Sequence, residues 1–179
     1  MTKYRCSGTM TESQYLAFIR SCLRSKWLRW KPRSDILQMS RRNKQKEGKH
    51  KFEYQCSICK DWFLQKEMEV DHYPKSAGSI LSVEDIGEFC NNLFCEVENL
   101  RVVCKPCHEI HTLSERNGIS FEEAKLEKKV IAFGNLPASQ QRIILTEVLE
   151  ESTIINLKNA SDRKEAYRKF LKGVGNEKV

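Results

Sequence analysis

The sequence predicts an α+β protein: a small zinc-clamped centre of short strands with helical extensions at both ends. Three observations predict it. Cys56-x-x-Cys59 and Cys104-x-x-Cys107 are two pairs at zinc-knuckle spacing, and four thiolates so arranged close a tetrahedral site that clamps distant segments together. Residues 52–75 alternate and turn like a short antiparallel unit. The segments on either side carry apolar residues at three- and four-residue spacings, the period of a helix with one buried face.

Taken in order, Thr11-Glu12-Ser13-Gln14 fits a capping box that opens a helix carrying Leu16, Ile19, Leu23, Trp27 and Trp30 on one stripe. Pro32 disfavours helix at Lys31 and is expected to end it. Trp27 reads as a core residue, and Trp30 as either packing or a contact to DNA. Residues 40–51 have almost no apolar content and read as a mobile basic linker. Phe52 and Tyr54 lead into the first knuckle, Trp62 to Leu64 follow it, and Met68-Glu69-Val70 delivers Asp71-His72 before Pro74 breaks the strand. Residues 76–79 form a loop and 82–94 a helix. Residues 98–103 return as a turn and short strand, and Cys107 to about Ser114 is a helix with His108 in its first turn. Helices follow from Ser120 to Phe133, from Ser139 to about Leu157, and from Ser161 or Asp162 onward. The predicted organisation is a basic arm and linker at 1–51, a core at 52–116 and a helical region at 117–179.

Of the 179 residues, 40% are hydrophobic and 31% charged, and the net charge is +7. That charge is local. Residues 20–51 hold twelve Lys or Arg against Asp35 and Glu47, a local +10, so the rest of the chain is slightly acidic. A basic stretch interleaved with Trp27 and Trp30 suits a phosphate-binding arm, with Arg20, Arg24, Arg29, Arg41, Arg42 and Lys44 as DNA contacts; the plainer reading is a solvated tail. The cationic side of the last helix, with Arg163, Lys164, Arg168, Lys169 and Lys172, is either a second phosphate contact or an ordinary solvated face. No apolar run reaches bilayer length and no apolar signal core opens the chain, so a cytoplasmic location without membrane association is expected. The other cysteines, Cys6, Cys22, Cys90 and Cys95, read as reduced thiols, with Cys22 and Cys90 as buried fillers.

A structural zinc ribbon has no use for Asp71, His72 and His108. These are the residue types that hold a divalent cation and activate water. Phosphodiester hydrolysis needs a nucleophilic water, a sink for charge developing on phosphorus, and stabilisation of the leaving 3′-oxygen. One carboxylate and one imidazole can hold a hard cation that supplies the last two, and a neutral imidazole can take the proton from water. Redox use of the CxxC pairs is the rival chemistry, and two pairs separated by 44 residues fit it poorly.

Glu69-Val-Asp-His-Tyr-Pro74 followed by Glu98-Asn-Leu-Arg-Val-Val-Cys-Lys-Pro-Cys-His-Glu-Ile-His-Thr112 resembles the HNH endonucleases of the ββα-metal type. The Phe89-Cys-Asn-Asn-Leu-Phe-Cys95 insert is similar to that of many phage-encoded, homing-like members. The resemblance spans residues 52–114. It implies two antiparallel strands and a helix cradling one Mg²⁺ or Mn²⁺ beside a structural Zn²⁺ held by Cys56, Cys59, Cys104 and Cys107. It further implies His72 as general base, Asp71 and His108 as ligands of the catalytic metal, and Asn99 as support for the loop that orients the base. A loop-capping Asn without catalytic consequence is the plainer reading of Asn99. His111 stands where many members carry Lys, and is either a further phosphate or metal contact or an exposed residue. The implied activity is cleavage or nicking of duplex DNA, by a monomer if one strand is cut, in the host cytoplasm if the protein is phage-encoded. The alternative is a zinc-stabilised DNA-binding module without catalysis, and a third reading directs the same chemistry to RNA.

Overall fold

In the computed structural model, residues 3–44, 51–74, 77–150, 154 and 156–176 are described. Among them are strands β1 (Lys3–Arg5), β2 (Met10–Thr11), β3 (Arg41–Asn43), β4 (Phe52–Gln55), β5 (Trp62–Phe63), β6 (Met68–His72) and β7 (Leu100–Cys104). The helices are α1 (Glu12–Trp27), α2 (Lys31–Met39), α3 (Ile86–Leu93), α4 (Lys105–Asn117), α5 (Phe121–Gly134), α6 (Ala138–Thr146) and α7 (Ala160–Asn176). The class is mixed α+β with small antiparallel sheets, as the patterning predicts. The chain forms two units, Met1–His108 and Glu109–Val179, so the N-terminal helices belong with the Cys frame. No helix among the described residues is long and apolar enough to cross a membrane.

In the first unit, Thr11 caps α1 as expected: its hydroxyl accepts from the Gln14 N–H, and the Gln14 side chain accepts from the Thr11 N–H. Pro32, however, does not end this helix. The helix stops at Trp27, and Pro32 sits in the first turn of a second helix, where a missing N–H leaves no bond unmade. Trp30 is a packing residue: its indole N–H donates to the Cys95 carbonyl at 2.8 Å and its ring meets Phe94 edge-on. Leu16 of α1 and Phe89 and Leu93 of α3 are buried together with Ala77 and Ile80, and Tyr15, Ile19, Leu23 and Trp27 close around them. Truncating a ring as buried as Phe89 typically costs about 3–5 kcal/mol, which makes this cluster the anchor of α3.

Two small sheets carry the Cys frame. One has the order β3-β4-β5; the other is the ribbon β6-β7. The linker expected over 40–51 is in part a strand, since Arg41–Asn43 pairs with Tyr54–Phe52; Gln45 to His50 lie outside the described residues. The helix expected over 82–94 is shorter. Asp85 instead accepts from the Leu81 and Ser82 N–H groups, which shapes a turn ahead of Ile86. Cys22 is exposed and Cys90 half-buried, so neither is the buried filler expected.

In the second unit, Ser120 and Glu123 form another reciprocal capping box at the head of α5. The expected helix over 139–157 ends at Thr146, with a turn at 147–148; residues 151–153 and 155 of that stretch lie outside the described residues. Phe133, Leu145 and Ile154 form the core, and Tyr167 of α7 stacks on Phe133 at 4.3 Å. Two cations of α7 point inward. Arg163 is buried and donates to the Gln141 side chain and to the Leu157 and Lys158 carbonyls. Arg168 forks onto Glu127 and also meets Glu165. The second phosphate contact considered for this helix therefore loses both its arginines to internal bonds. Arg163→Met should destabilise the protein by about 3 kcal/mol, because Gln141 is left buried with an unmet acceptor, whereas Lys169→Met should stay within about 0.5 kcal/mol; urea unfolding compares the two.

Candidate metal centres at the end of a β-ribbon

The first centre is the Cys cluster. Cys56 and Cys59 sit in the turn joining β4 to β5, while Cys104 ends β7 and Cys107 lies in the first turn of α4. The turn is tight: Lys60 N–H donates to the Cys56 carbonyl at 2.9 Å, Cys56 N–H to the Asp61 carbonyl at 2.9 Å, and Lys60 adopts φ +64°, which a side chain tolerates only where the turn demands it. Ser57 N–H reaches the Val102 carbonyl at 2.8 Å and Cys104 N–H reaches the Cys56 sulfur at 3.3 Å, so hydrogen bonds already dock the turn on β7. The four sulfurs all lie within 4.8 Å of one another. Tetrahedral Zn–S bonds of about 2.3 Å place sulfurs about 3.8 Å apart, so the cluster fits zinc after a small contraction.

Charge tells the same story. Burial pushes the Cys56 thiol up, but N–H groups of Cys104, Cys59 and Ile58 outweigh it and hold it at about 7. Burial and then the neighbouring thiols raise Cys59 to about 11 and drive Cys107 higher still. Thiols crowded this way resist ionising together, and a dication removes that resistance.

The second centre follows from register. β6 and β7 pair antiparallel from Met68↔Cys104 to His72↔Leu100, with Asp71 opposite Arg101. Strand alternation puts Met68, Val70 and His72 on one face and Glu69 and Asp71 on the other. On the second face Arg101 donates twice to Asp71 Oδ2, at 3.0 and 2.8 Å. The other carboxylate oxygen, Oδ1, faces His108 Nε2 of α4 at 3.6 Å, and the opposite nitrogen of that imidazole, Nδ1, contacts Glu69. Burial would raise the Asp71 carboxyl, but His108 and Arg101 hold it down at about 2. The facing Asp71 carboxylate raises the His108 imidazole against the opposing effect of burial, and Glu69 adds to the rise.

His72 occupies the other face. Its ring stacks on Trp27 at 5.0 Å, and Nε2 lies 3.0 Å from the Leu93 carbonyl. A carbonyl only accepts, so the neutral ring carries its proton on Nε2 and keeps its lone pair on Nδ1. Asn99 takes part through its main chain, its carbonyl accepting from Tyr73 N–H at 2.9 Å one rung past His72. His111 pairs with Glu115 one turn along α4, at 3.5 Å. The structure thus joins Asp71 to His108 and sets His72 beside them across the ribbon edge.

Two members of the second centre were not singled out from sequence. Glu69 had a signal, since a residue two before Asp71 on a strand shares its face. Arg101 had none, because it depends on register. In the basic arm, Arg24, Arg29 and Arg41 are exposed and Arg20 and Lys44 half-buried. Arg42 is committed to Glu53 at 2.7 Å and to the Trp62 ring.

Natively purified protein should carry one zinc per chain by elemental analysis. Cys56→Ser should lose it and Cys22→Ser keep it; protein lacking stoichiometric zinc would sink the four-thiolate assignment. The chain matches no protein-family model, and no curated protein or solved structure is significantly similar to it, so the geometry and the residue pattern carry the functional reading.

Proposed function

We propose that the protein is a metal-dependent endonuclease of the HNH, ββα-metal type that hydrolyses phosphodiester bonds of duplex DNA. One observation carries the reading: Asp71 Oδ1 and His108 Nε2 face each other at 3.6 Å, one residue from a His whose tautomer is fixed. That gap is too long for a hydrogen bond and suits one cation with ligand bonds of about 2.1 Å. The donor set, one carboxylate and one imidazole with room for waters, fits Mg²⁺ or Mn²⁺.

Each residue then has a task. Arg101 engages Oδ2 of Asp71 and leaves Oδ1 free to bind. Glu69 takes Nδ1 of His108 and so aims Nε2 at Asp71, the carboxylate–histidine arrangement that orients metal-binding imidazoles. Leu93 and Trp27 hold the His72 ring, and its Nδ1 removes the proton from the attacking water. The water oxygen bonds to phosphorus as the P–O3′ bond breaks, and the departing 3′-oxygen takes a proton from solvent water, leaving a 5′-phosphate and a 3′-hydroxyl. Asp71 and His108 would hold a divalent cation, which when bound would supply charge stabilisation at phosphorus and at the leaving oxygen. Exposed Arg24, Arg29 and Arg41 attract the duplex.

A second reading, a zinc-stabilised DNA-binding module without catalysis, draws on the same His72, because an imidazole stacked on Trp27 and bonded to Leu93 is already satisfied as a structural residue. Supercoiled plasmid with Mg²⁺ or Mn²⁺ separates the two. The nuclease reading expects nicking that falls by about 10²–10⁴ in His72→Ala. In Glu69→Gln nicking and Mn²⁺ affinity should both drop by roughly 10–100-fold. No nicking by wild type, or equal nicking by His72→Ala, leaves the binding module.

A further inference from the structure

We infer that Arg33, the third residue of the basic arm's second helix, grips a DNA backbone phosphate beside His72. The inference rests on the nuclease reading for the identity of its ligand, and on separate observations for the site. Helix α2 packs against β6, β7 and the turn at Val97–Asn99, the elements that frame the second centre. Pro32, buried in its first turn, fixes where Arg33 emerges. The Arg33 guanidinium carbon lies 5.2 Å from the centre of the Trp27 ring, and the same ring stacks on His72 at 5.0 Å. The guanidinium and the candidate base therefore contact the same aromatic ring.

Several other cations of the chain are paired internally. Arg42, Arg101, Arg163 and Arg168 each meet an oxygen of the protein. Lys31, two residues before Arg33, is tied to Asp35 at 2.6 Å. Arg33 meets the face of Trp27 and no carboxylate among the described residues, and its Nε is buried without an acceptor. The indole N–H of Trp27, the ring that both Arg33 and His72 contact, is also buried without one. Folded proteins rarely leave one buried donor unpaired, and here two belong to residues in contact with each other. Those two nitrogens are closed to solvent, but the Nη donors of the same guanidinium are not enclosed and meet no protein oxygen among the described residues, so an oxygen-rich anion from outside can engage Arg33 there. A phosphodiester is such a group, and a guanidinium held over an indole keeps its edge donors free for it.

The placement also gives a reason for the Trp27 stack. A strand phosphate held by Arg33 sits against the same indole that fixes the His72 ring, so docking of the backbone and positioning of the base share one element. Arg33 would act as a positioning residue, touching the phosphate rather than transferring a proton.

The test uses the full-length, zinc-loaded protein without added Mg²⁺ or Mn²⁺, so that binding is read without cleavage. Binding of a short duplex oligonucleotide is followed by fluorescence anisotropy across a salt series, and the Trp27 indole N–H, assigned with Trp27→Phe, by ¹H–¹⁵N spectra. Arg33→Gln should weaken binding by roughly tenfold and lower the salt slope by about one phosphate contact. Arg33→Lys should keep the slope and recover only part of the affinity, since an ammonium keeps the charge without the fork. The Trp27 signal should move on adding duplex to wild type and stay in place in Arg33→Gln. Unchanged zinc content and melting temperature establish that the variants are folded. An unmoved Trp27 signal in wild type, or an unchanged salt slope in folded Arg33→Gln, overturns the inference. Absence of nicking with Mg²⁺ in a protein that shows these binding changes removes the nuclease reading and leaves the phosphate site standing.

Discussion

The pairing of β6 with β7 is the constraint on which the rest depends. Five residue pairs, from Met68↔Cys104 to His72↔Leu100, fix which side chains share a face. That register puts Cys104 at the end that meets the β4–β5 turn, and Asp71 and His72 at the other end on opposite faces. A slip of one residue would exchange the faces, bury Glu69 and Asp71 against the apolar cluster and expose Val70. Burial favours this register: Met68, Val70, Leu100, Val102 and Cys104 are buried on one face, while on the other only Val103, opposite Glu69, is buried. Hydrophobic alternation and the hydrogen bonds of the Cys turn to β7 select the same pairing, and their agreement makes it unique.

Electrostatics at the free end of the ribbon is asymmetric. Asp71 is a carboxylate with one oxygen saturated by Arg101 and the other facing an imidazole at 3.6 Å, too far to count as a bond. His108 lies between two carboxylates, one at each ring nitrogen. Arg101 and the imidazole between them are the groups that meet these two acids. His72, one residue from Asp71, sits in an aromatic and main-chain environment instead. The strand pleat separates these environments within one dipeptide.

Much of this was legible in the sequence. The Cys spacing announced a four-sulfur cluster, and the capping boxes at Thr11 and Ser120 marked two helix starts to the residue. Other features were hidden because they depend on partners far along the chain. Pro32 reads as a helix stop in isolation, yet a proline stops one helix or opens another according to where the preceding helix ends, and α1 had already ended at Trp27. Cations at 163 and 168 read as either a phosphate contact or a solvated face, but Gln141 and Glu127 turn them inward. Arg101 was invisible because a cross-strand neighbour is a matter of register.

The sequence by itself determined the inventory: four thiols in two pairs, an acid beside a histidine, a second histidine one residue past the last thiol, and a local basic run. These depend on covalent spacing, which folding cannot alter. Tertiary structure decided the assignments. It brought Glu69 and Arg101 to Asp71, gave His72 to Trp27 and Leu93, withdrew Arg42 into a pair with Glu53, and left Arg33 over an indole without an anion. Those outcomes depend on which groups become neighbours once apolar surface is buried, and distance in space, unlike distance in sequence, is set only by the packed fold.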